Sequence, residues 1–206
     1  MARLWMIHFD DGATLTDEHC APHEVNIMAE LGYSPERITS VERVVGGRII
    51  TIKKSPLIEN FFVATDASRD MSMSPGGGNL PVMIQKRMLG CYLKNSDPPI
   101  QCRLIMDAKN FDVLLECFRV RKKTAAGINA RRTVPLKRGL KELHSKQLID
   151  NMYSIQKTSV IERVFSTPNG LGCFFKKPKV RAEMVIRSGN VLLGFTPPDQ
   201  KLKIVE

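Results

Sequence analysis

The residues best suited to bind a metal ion lie near the N-terminus, where three of the four histidines of the chain occur. The stretch HCAPHE places His19, Cys20 and His23 close together, and His8 and Asp10 precede them. A structural zinc site needs about four such ligands in a tetrahedron. Cys20 and His23 form one pair of suitable spacing, but the sequence offers no second pair. We therefore expect no metal and no cofactor. Asp10 and Asp11 are expected to cap a turn, and His19 and His23 to be loop residues beside a helix start.

The sequence contains no motif that predicts catalysis. The three glycines at 76–78 are followed by Asn79, whereas a phosphate-binding loop needs a Lys-Ser/Thr pair there. No Gly-x-Ser-x-Gly nucleophile motif is present. His144 and Ser145 are neighbours in a predicted helix and point in different directions, so they cannot act together as base and nucleophile. We therefore predict a non-enzymatic protein with no catalytic residues.

The clearest chemical feature is a run of positive charge. The chain has a net charge of +10, and residues 118–141 contain nine Lys or Arg and no Asp or Glu. Like charges at this density repel one another unless an anionic partner offsets them. We predict that an anionic partner binds to these side chains: Arg119, Arg121, Lys122, Lys123, Arg131, Arg132, Lys137, Arg138 and Lys141.

The sequence leaves two types of anionic partner open. Phe118 is the only aromatic residue between 118 and 141, which argues against binding by base stacking. Contact with the phosphate backbone of a nucleic acid, without sequence specificity, is one alternative. The acidic surface of another protein is the other, and residues 1–30 offer such a surface, with one Arg against six Asp or Glu. In that case the basic segment of one copy would dock on the acidic end of the next.

Size and composition are those of one ordinary globular domain. The chain has 206 residues, of which 43% are hydrophobic and 25% charged, and we predict a single domain over residues 1–206. No apolar stretch is long enough to span a membrane, and MARLWMIHFDDG makes a poor signal peptide. We expect a location in the cytoplasm or within a virus particle. The five scattered cysteines argue against a disulfide framework, and four of them lie in apolar, strand-like runs.

The elements that position these residues are predicted to be mainly β-strands. Strand-like runs flank turns at Gly46-Gly47 and Gly189-Asn190, and a meander follows over 82–120. A helical leucine stripe predicts a main helix over 135–155, and Pro22 and Gly32 bound a minor helix over 22–31. The expected fold class is α+β and β-rich, with antiparallel hairpins that form a sandwich or a barrel-like sheet beside these two helices.

Two segments are predicted to extend from this domain. Residues 66–81 are rich in Gly, Ser and Met and predict a loop, and residues 121–134 predict a basic arm. Segments of such composition typically order only against a neighbour. We therefore expect a structural or interaction protein that is a subunit of a larger homo- or hetero-oligomeric assembly, with a phage or virus particle as the first candidate. The alternative is a nucleic-acid-binding protein.

Overall fold

A computed structural model of the protein describes residues 5–16, 35–64, 86–107, 111–120, 147–148 and 152–204. These residues form fourteen β-strands in two sheets. Their only helical element is a 3-10 turn at Pro35–Arg37, which leads directly into a strand. The predicted loop at 66–81 and the predicted basic arm at 121–134 lie outside the described residues.

The larger sheet contains eight strands: β1 (Trp5–Phe9), β2 (Thr14–Thr16), β3 (Ile38–Val45), β4 (Arg48–Lys53), β11 (Ile161–Thr167), β12 (Gly170–Phe175), β13 (Arg181–Arg187) and β14 (Asn190–Thr196). Their order across the sheet is β11-β12-β13-β14-β4-β3-β1-β2. The predicted hairpin between β3 and β4 is confirmed, and Gly46 and Gly47 both have the positive φ angles that glycine adopts without strain. β14 runs parallel to β4 and joins the N-terminal and C-terminal groups of strands.

The smaller sheet contains six strands: β5 (Ile58–Ala64), β6 (Lys86–Leu93), β7 (Ile100–Asp107), β8 (Val113–Arg119), β9 (Gln147–Leu148) and β10 (Tyr153–Ile155). Their order is β5-β6-β7-β8-β10-β9. The antiparallel meander predicted for 82–120 is confirmed by β6, β7 and β8. β10 adds to this meander in a parallel orientation beside β8.

The two sheets share one hydrophobic core, in which β6 lies against β3 and β4, and β10 lies against β12. Three cysteines, Cys91, Cys102 and Cys117, stand opposite one another on adjacent strands of the smaller sheet. Cys173 is also buried in this core, and all four thiols are free. Burial raises the pKa of the Cys102 and Cys173 thiols, so both stay protonated and act as small apolar groups. The prediction of buried, unpaired cysteines in strands is confirmed for these four.

The prediction of a main helix over 135–155 is wrong. Both described parts of this range are strands, β9 at Gln147–Leu148 and β10 at Tyr153–Ile155. Tyr153 and Ile155 are buried while Ser154 is partly exposed, and this alternation has the period of two that a strand requires. The helical leucine stripe was interrupted between Leu143 and Leu148, and β10 lies beyond this interruption, where pairing with β8 determines the structure.

Two further parts of the fold-class prediction need correction. The described strands form two open sheets and do not close into a barrel, and both sheets are mixed because β4–β14 and β8–β10 are parallel pairs. Parallel pairs join strands that are distant in sequence, so local hairpin signals could not predict them. The predicted minor helix at 22–31 lies outside the described residues. The described part of the protein is therefore β-rich, with no α-helix, and the predicted α+β class is wrong for it.

Candidate anionic-partner surface

Arg119 is the only predicted partner-binding residue that lies within the described part of the chain; the other eight lie outside it. It ends β8, and its Nη1 donates a hydrogen bond of 3.0 Å to the carbonyl oxygen of Pro98. Its Nη2 donates a hydrogen bond of 2.9 Å to the carbonyl oxygen of Lys177. Pro98 lies in the loop between β6 and β7, whereas Lys177 lies between β12 and β13. The Arg119 guanidinium therefore joins a loop of one sheet to a loop of the other.

Two further hydrogen bonds bring a third segment to the same place. The Thr158 hydroxyl donates to the carbonyl oxygen of Cys117, near the end of β8. The Lys176 amide donates to the carbonyl oxygen of Val160 at 2.9 Å, just after β12. Segments 119–120, 156–160 and 176–179 thus meet at one end of the fold. We call their five cationic residues the basic corner: Arg119, Lys157, Lys176, Lys177 and Lys179.

Most of the charge at the basic corner has no internal counter-ion. The three segments contain no Asp or Glu. Lys157, Lys176 and Lys177 are exposed, and within the described residues none of them has an ion-pair partner. Lys179 lies 3.4 Å from Glu162, and because both side chains are more than half exposed, water and salt weaken this pair. The corner is therefore a surface whose positive charge is available to a partner.

A stack of arginine and phenylalanine side chains lies beside the basic corner. The guanidinium of Arg163 lies 4.6 Å from the ring centre of Phe174, and that of Arg181 lies 4.6 Å from the ring centre of Phe165. The two ring centres are 4.9 Å apart. Gly172 allows the Phe165 ring to lie flat on the sheet, since a Cβ there would come within 2.4 Å of the ring. Stacking of this kind holds a guanidinium in a fixed position.

The two arginines of this stack differ in their charge partners. Arg181 is largely buried, and its Nη2 donates a hydrogen bond of 3.0 Å to Glu183. The other carboxylate oxygen of Glu183 accepts a hydrogen bond of 2.6 Å from the amide of Leu202, which fastens the C-terminal segment to the sheet. Arg163 is exposed, and no carboxylate pairs with it among the described residues. Arg181 therefore stabilises the fold, whereas Arg163 adds to the charge that a partner meets.

An open groove of about 490 Å³ lies between β11 and the C-terminal segment. Its lining mixes basic, acidic and apolar side chains: Glu162, Arg163, Phe174, Phe175, Lys179, Pro198 and Asp199. Two carboxylates and two cations line the groove, and of the two cations only Lys179 has a carboxylate partner. Among the described residues at and beside the corner, the exposed cations without an ion pair are Arg163 in the groove and Lys157, Lys176 and Lys177 outside it.

The acidic end of the chain is arranged differently. Asp10 and Asp11 follow β1, and Arg37 places its Nη2 2.9 Å from Asp10 and 2.8 Å from Asp11. A hydrogen bond from the Ala13 amide, together with the charge of Arg37, lowers the pKa of Asp11. The hydrogen bond and charge of Asp10 raise the pKa of Arg37 in turn. This confirms that the two aspartates belong to a turn, and it shows that Arg37 offsets one of their two charges within the chain.

The remaining candidate ligands near the N-terminus do not converge in the part of the chain that can be described. His8 Nε2 lies 3.1 Å from Glu42, and His8 Nδ1 lies 3.5 Å from the Thr14 hydroxyl. Over residues 5–16, 35–64, 86–107, 111–120, 147–148 and 152–204, no group of three or more His, Cys, Asp or Glu side chains is placed to hold a metal. His19, Cys20 and His23 lie outside those ranges. Within them, too, no helix has the length and apolar character needed to cross a bilayer.

Sequence reasoning missed four of the five residues of the basic corner, Lys157 and the three lysines at 176–179. The run KKPK was a visible local signal, and it directly follows β12. Its position beside Arg119, 58 residues away in sequence, depends on how the two sheets pack and has no local signal. No family model, no curated protein and no solved structure matches the chain.

Proposed function

We propose that the protein is a non-enzymatic structural or interaction protein that works as a subunit of a larger assembly and docks on an anionic surface through its basic corner. A phage or virus particle is the first such assembly to test. One observation supports the proposal above all: three segments distant in sequence bring five cations to one place, and none of the three contains an acidic residue.

Such a concentration of charge is unfavourable for the isolated fold. The exposed lysines repel one another, and their mutual repulsion is relieved when an anionic surface binds. Arg119 strengthens the argument, because its two hydrogen bonds hold together loops of both sheets at this corner. From Val120 the chain continues directly into residues 121–141, which contain the other eight predicted cations and no acidic residue. The positive charge of the corner therefore continues, in sequence, into this segment.

The proposal is tested by removing the unpaired charges of the corner. We expect a variant with Lys157→Ala, Lys176→Ala and Lys177→Ala to elute from immobilised heparin at lower salt than the wild type. These side chains are exposed, so their removal should leave the fold intact. Light scattering should show the wild type as a species larger than the 23.2 kDa monomer, either alone or with the anionic probe.

A matched control removes the same amount of charge elsewhere. Arg187, Lys201 and Lys203 are also exposed and lie on the β13–β14 turn and the C-terminal segment. Alanine at these three positions should change the heparin elution much less than alanine at the corner. An equal change in the two variants would mean that only net charge matters. A wild type that remains monomeric and is not retained would contradict the proposal as a whole.

A further inference from the structure

We infer that the anionic partner of the basic corner is the phosphate backbone of a nucleic acid, contacted without reading of its bases. The inference rests on the proposed function, because it names the partner of the same surface. It is supported by the state of the acidic end, by the position of Arg163, and by the covered faces of the two phenylalanine rings beside the corner.

The acidic end of a second copy is a poor partner for the corner in its described part. Arg37 lies within 2.9 Å of both Asp10 and Asp11. Docking on the corner would exchange this arginine for lysines, which are more strongly hydrated and lack the planar fork that matches a carboxylate. The exchange would gain little, since exposed ion pairs of either kind are weak. A nucleic-acid backbone has no such internal cations to displace, and its dense charge binds counter-ions that lysines release.

Arg163 has the geometry of a phosphate contact. Its guanidinium lies 4.6 Å from the Phe174 ring centre, and the side chain is exposed. A guanidinium held by an aromatic ring keeps its N–H groups in a fixed orientation, which suits bidentate binding to a phosphate. The pairing of β11 with β12 puts Arg163 opposite Phe174, two residues before Lys176. Arg163 thus adds a further exposed cation close in the sheet to Lys176.

The same stack argues against recognition through the bases. Phe174 has both guanidiniums near its ring, since Arg181 lies 5.4 Å from its centre in addition to Arg163. Phe165 has the Arg181 guanidinium 4.6 Å from its ring centre and packs closely against Gly172. Binding of single strands by stacking requires free aromatic faces. The charged side chains beside these rings would therefore contact phosphates, and such contacts give little sequence preference.

Fluorescence anisotropy with a labelled 20-base-pair DNA duplex of mixed sequence, between 50 and 200 mM KCl, tests the inference. The four exposed, unpaired cations at and beside the corner are Lys157, Arg163, Lys176 and Lys177. They predict a slope of log K against log salt of about −4, steeper if residues 121–141 contribute. Replacing Lys157, Lys176 and Lys177 with alanine should flatten this slope by roughly 2.7 and weaken binding at least tenfold. The control variant with alanine at Arg187, Lys201 and Lys203 should change the slope by less than about 1. Two duplexes of different sequence should bind within about threefold of each other.

The failures of the inference and of the proposed function can be told apart. If polyglutamate of matched charge binds as tightly as the duplex, and loses affinity equally in the corner variant, the surface accepts any polyanion; the inference fails and the proposed function stands. If a single-stranded oligonucleotide binds more tightly than the duplex, and Phe174→Leu removes the difference, bases are contacted and the inference is wrong. If neither polyanion binds and heparin does not retain the wild type, both proposals fail.

Discussion

The acidic turn after β1 and the basic corner show how differently two clusters of charge can be used. At the acidic turn, Arg37 lies within 2.9 Å of both Asp10 and Asp11. At the basic corner, Lys176 and Lys177 have no ion-pair partner among the described residues, and Lys179 has only a long contact to exposed Glu162. Both clusters stand out in the sequence as runs of like charge. The structure separates them by whether the chain supplies its own counter-charge.

A third arrangement lies close to the corner and completes this comparison. Arg181 and Glu183 are also an ion pair, but their side chains are only 14% and 9% exposed. A buried pair adds to stability only while both members are present, because either one alone leaves a charge without solvent or partner. The buried pair of Arg181 and Glu183 therefore stabilises the fold, whereas the exposed pair of Lys179 and Glu162 has little effect on stability. The exposed lysines without a partner are available to bind an anion.

The largest effect on stability is expected from Glu183→Gln. The change leaves the Arg181 guanidinium largely buried without its negative partner and weakens the acceptor for the Leu202 amide. We expect the free energy of unfolding to fall by about 2–4 kcal/mol, measured by urea denaturation. Glu162→Gln is the matched control, since it removes the same charge from an exposed pair with Lys179, and it should change stability by less than about 1 kcal/mol. Equal losses in the two variants would show that burial does not separate these pairs.

A smaller effect is expected from Arg119→Lys, which keeps the charge but removes the two-pronged contact. A lysine cannot donate to Pro98 and Lys177 with the fixed geometry of a guanidinium, so we expect a loss of about 1–2 kcal/mol in unfolding free energy. Anion binding should stay within about twofold, because the charge is retained. Lys177→Ala should have the opposite pattern: the free energy of unfolding should stay within about 0.5 kcal/mol of the wild type, and anion binding should become weaker. If Arg119→Lys instead leaves stability unchanged, the bridge between the sheets contributes nothing.

Most strands could be predicted from the sequence because their signals are local. The alternation in β7 and the glycines between β3 and β4 determine structure within a few residues, whatever the rest of the chain does. The segment at Tyr153–Ile155 is different, because its three residues are too few to show a period of their own. They form a strand because β8 is available for parallel pairing, and Tyr153 stands opposite Val113, forty residues earlier.

The candidate surface was only partly predictable for the same reason. The charge of Arg119 and its neighbours in sequence is apparent from composition alone. The role of Arg119 in joining two loops depends on the main-chain oxygen of Lys177, and a carbonyl oxygen carries no sequence signal. Three of the four lysines of the corner were visible as KKPK, but only the packing of the two sheets places them beside β8.

The smallest effect is expected at the acidic turn, and it concerns pH. Because the folded-state pKa of Asp11 lies below its ordinary value of about 3.9, this carboxylate stabilises the fold above that pH. The contribution is lost as the pH falls through the folded-state pKa. Acidification below pH 4 should therefore weaken the acidic turn.

An NMR titration of the Asp11 carboxyl group would measure this directly, with an expected midpoint below 3.9. The Ala13 amide is the largest cause of the lowered pKa and Arg37 is a secondary one. Arg37→Gln should therefore raise the midpoint only part of the way towards the ordinary value. A KCl concentration of 1 M should have the same partial effect, because salt screens the charge of Arg37 without breaking the hydrogen bond from Ala13. A midpoint at the ordinary value in the wild type would mean that neither the Ala13 amide nor Arg37 stabilises the Asp11 carboxylate. The acidic end of one copy would then be free to dock on the basic corner of another.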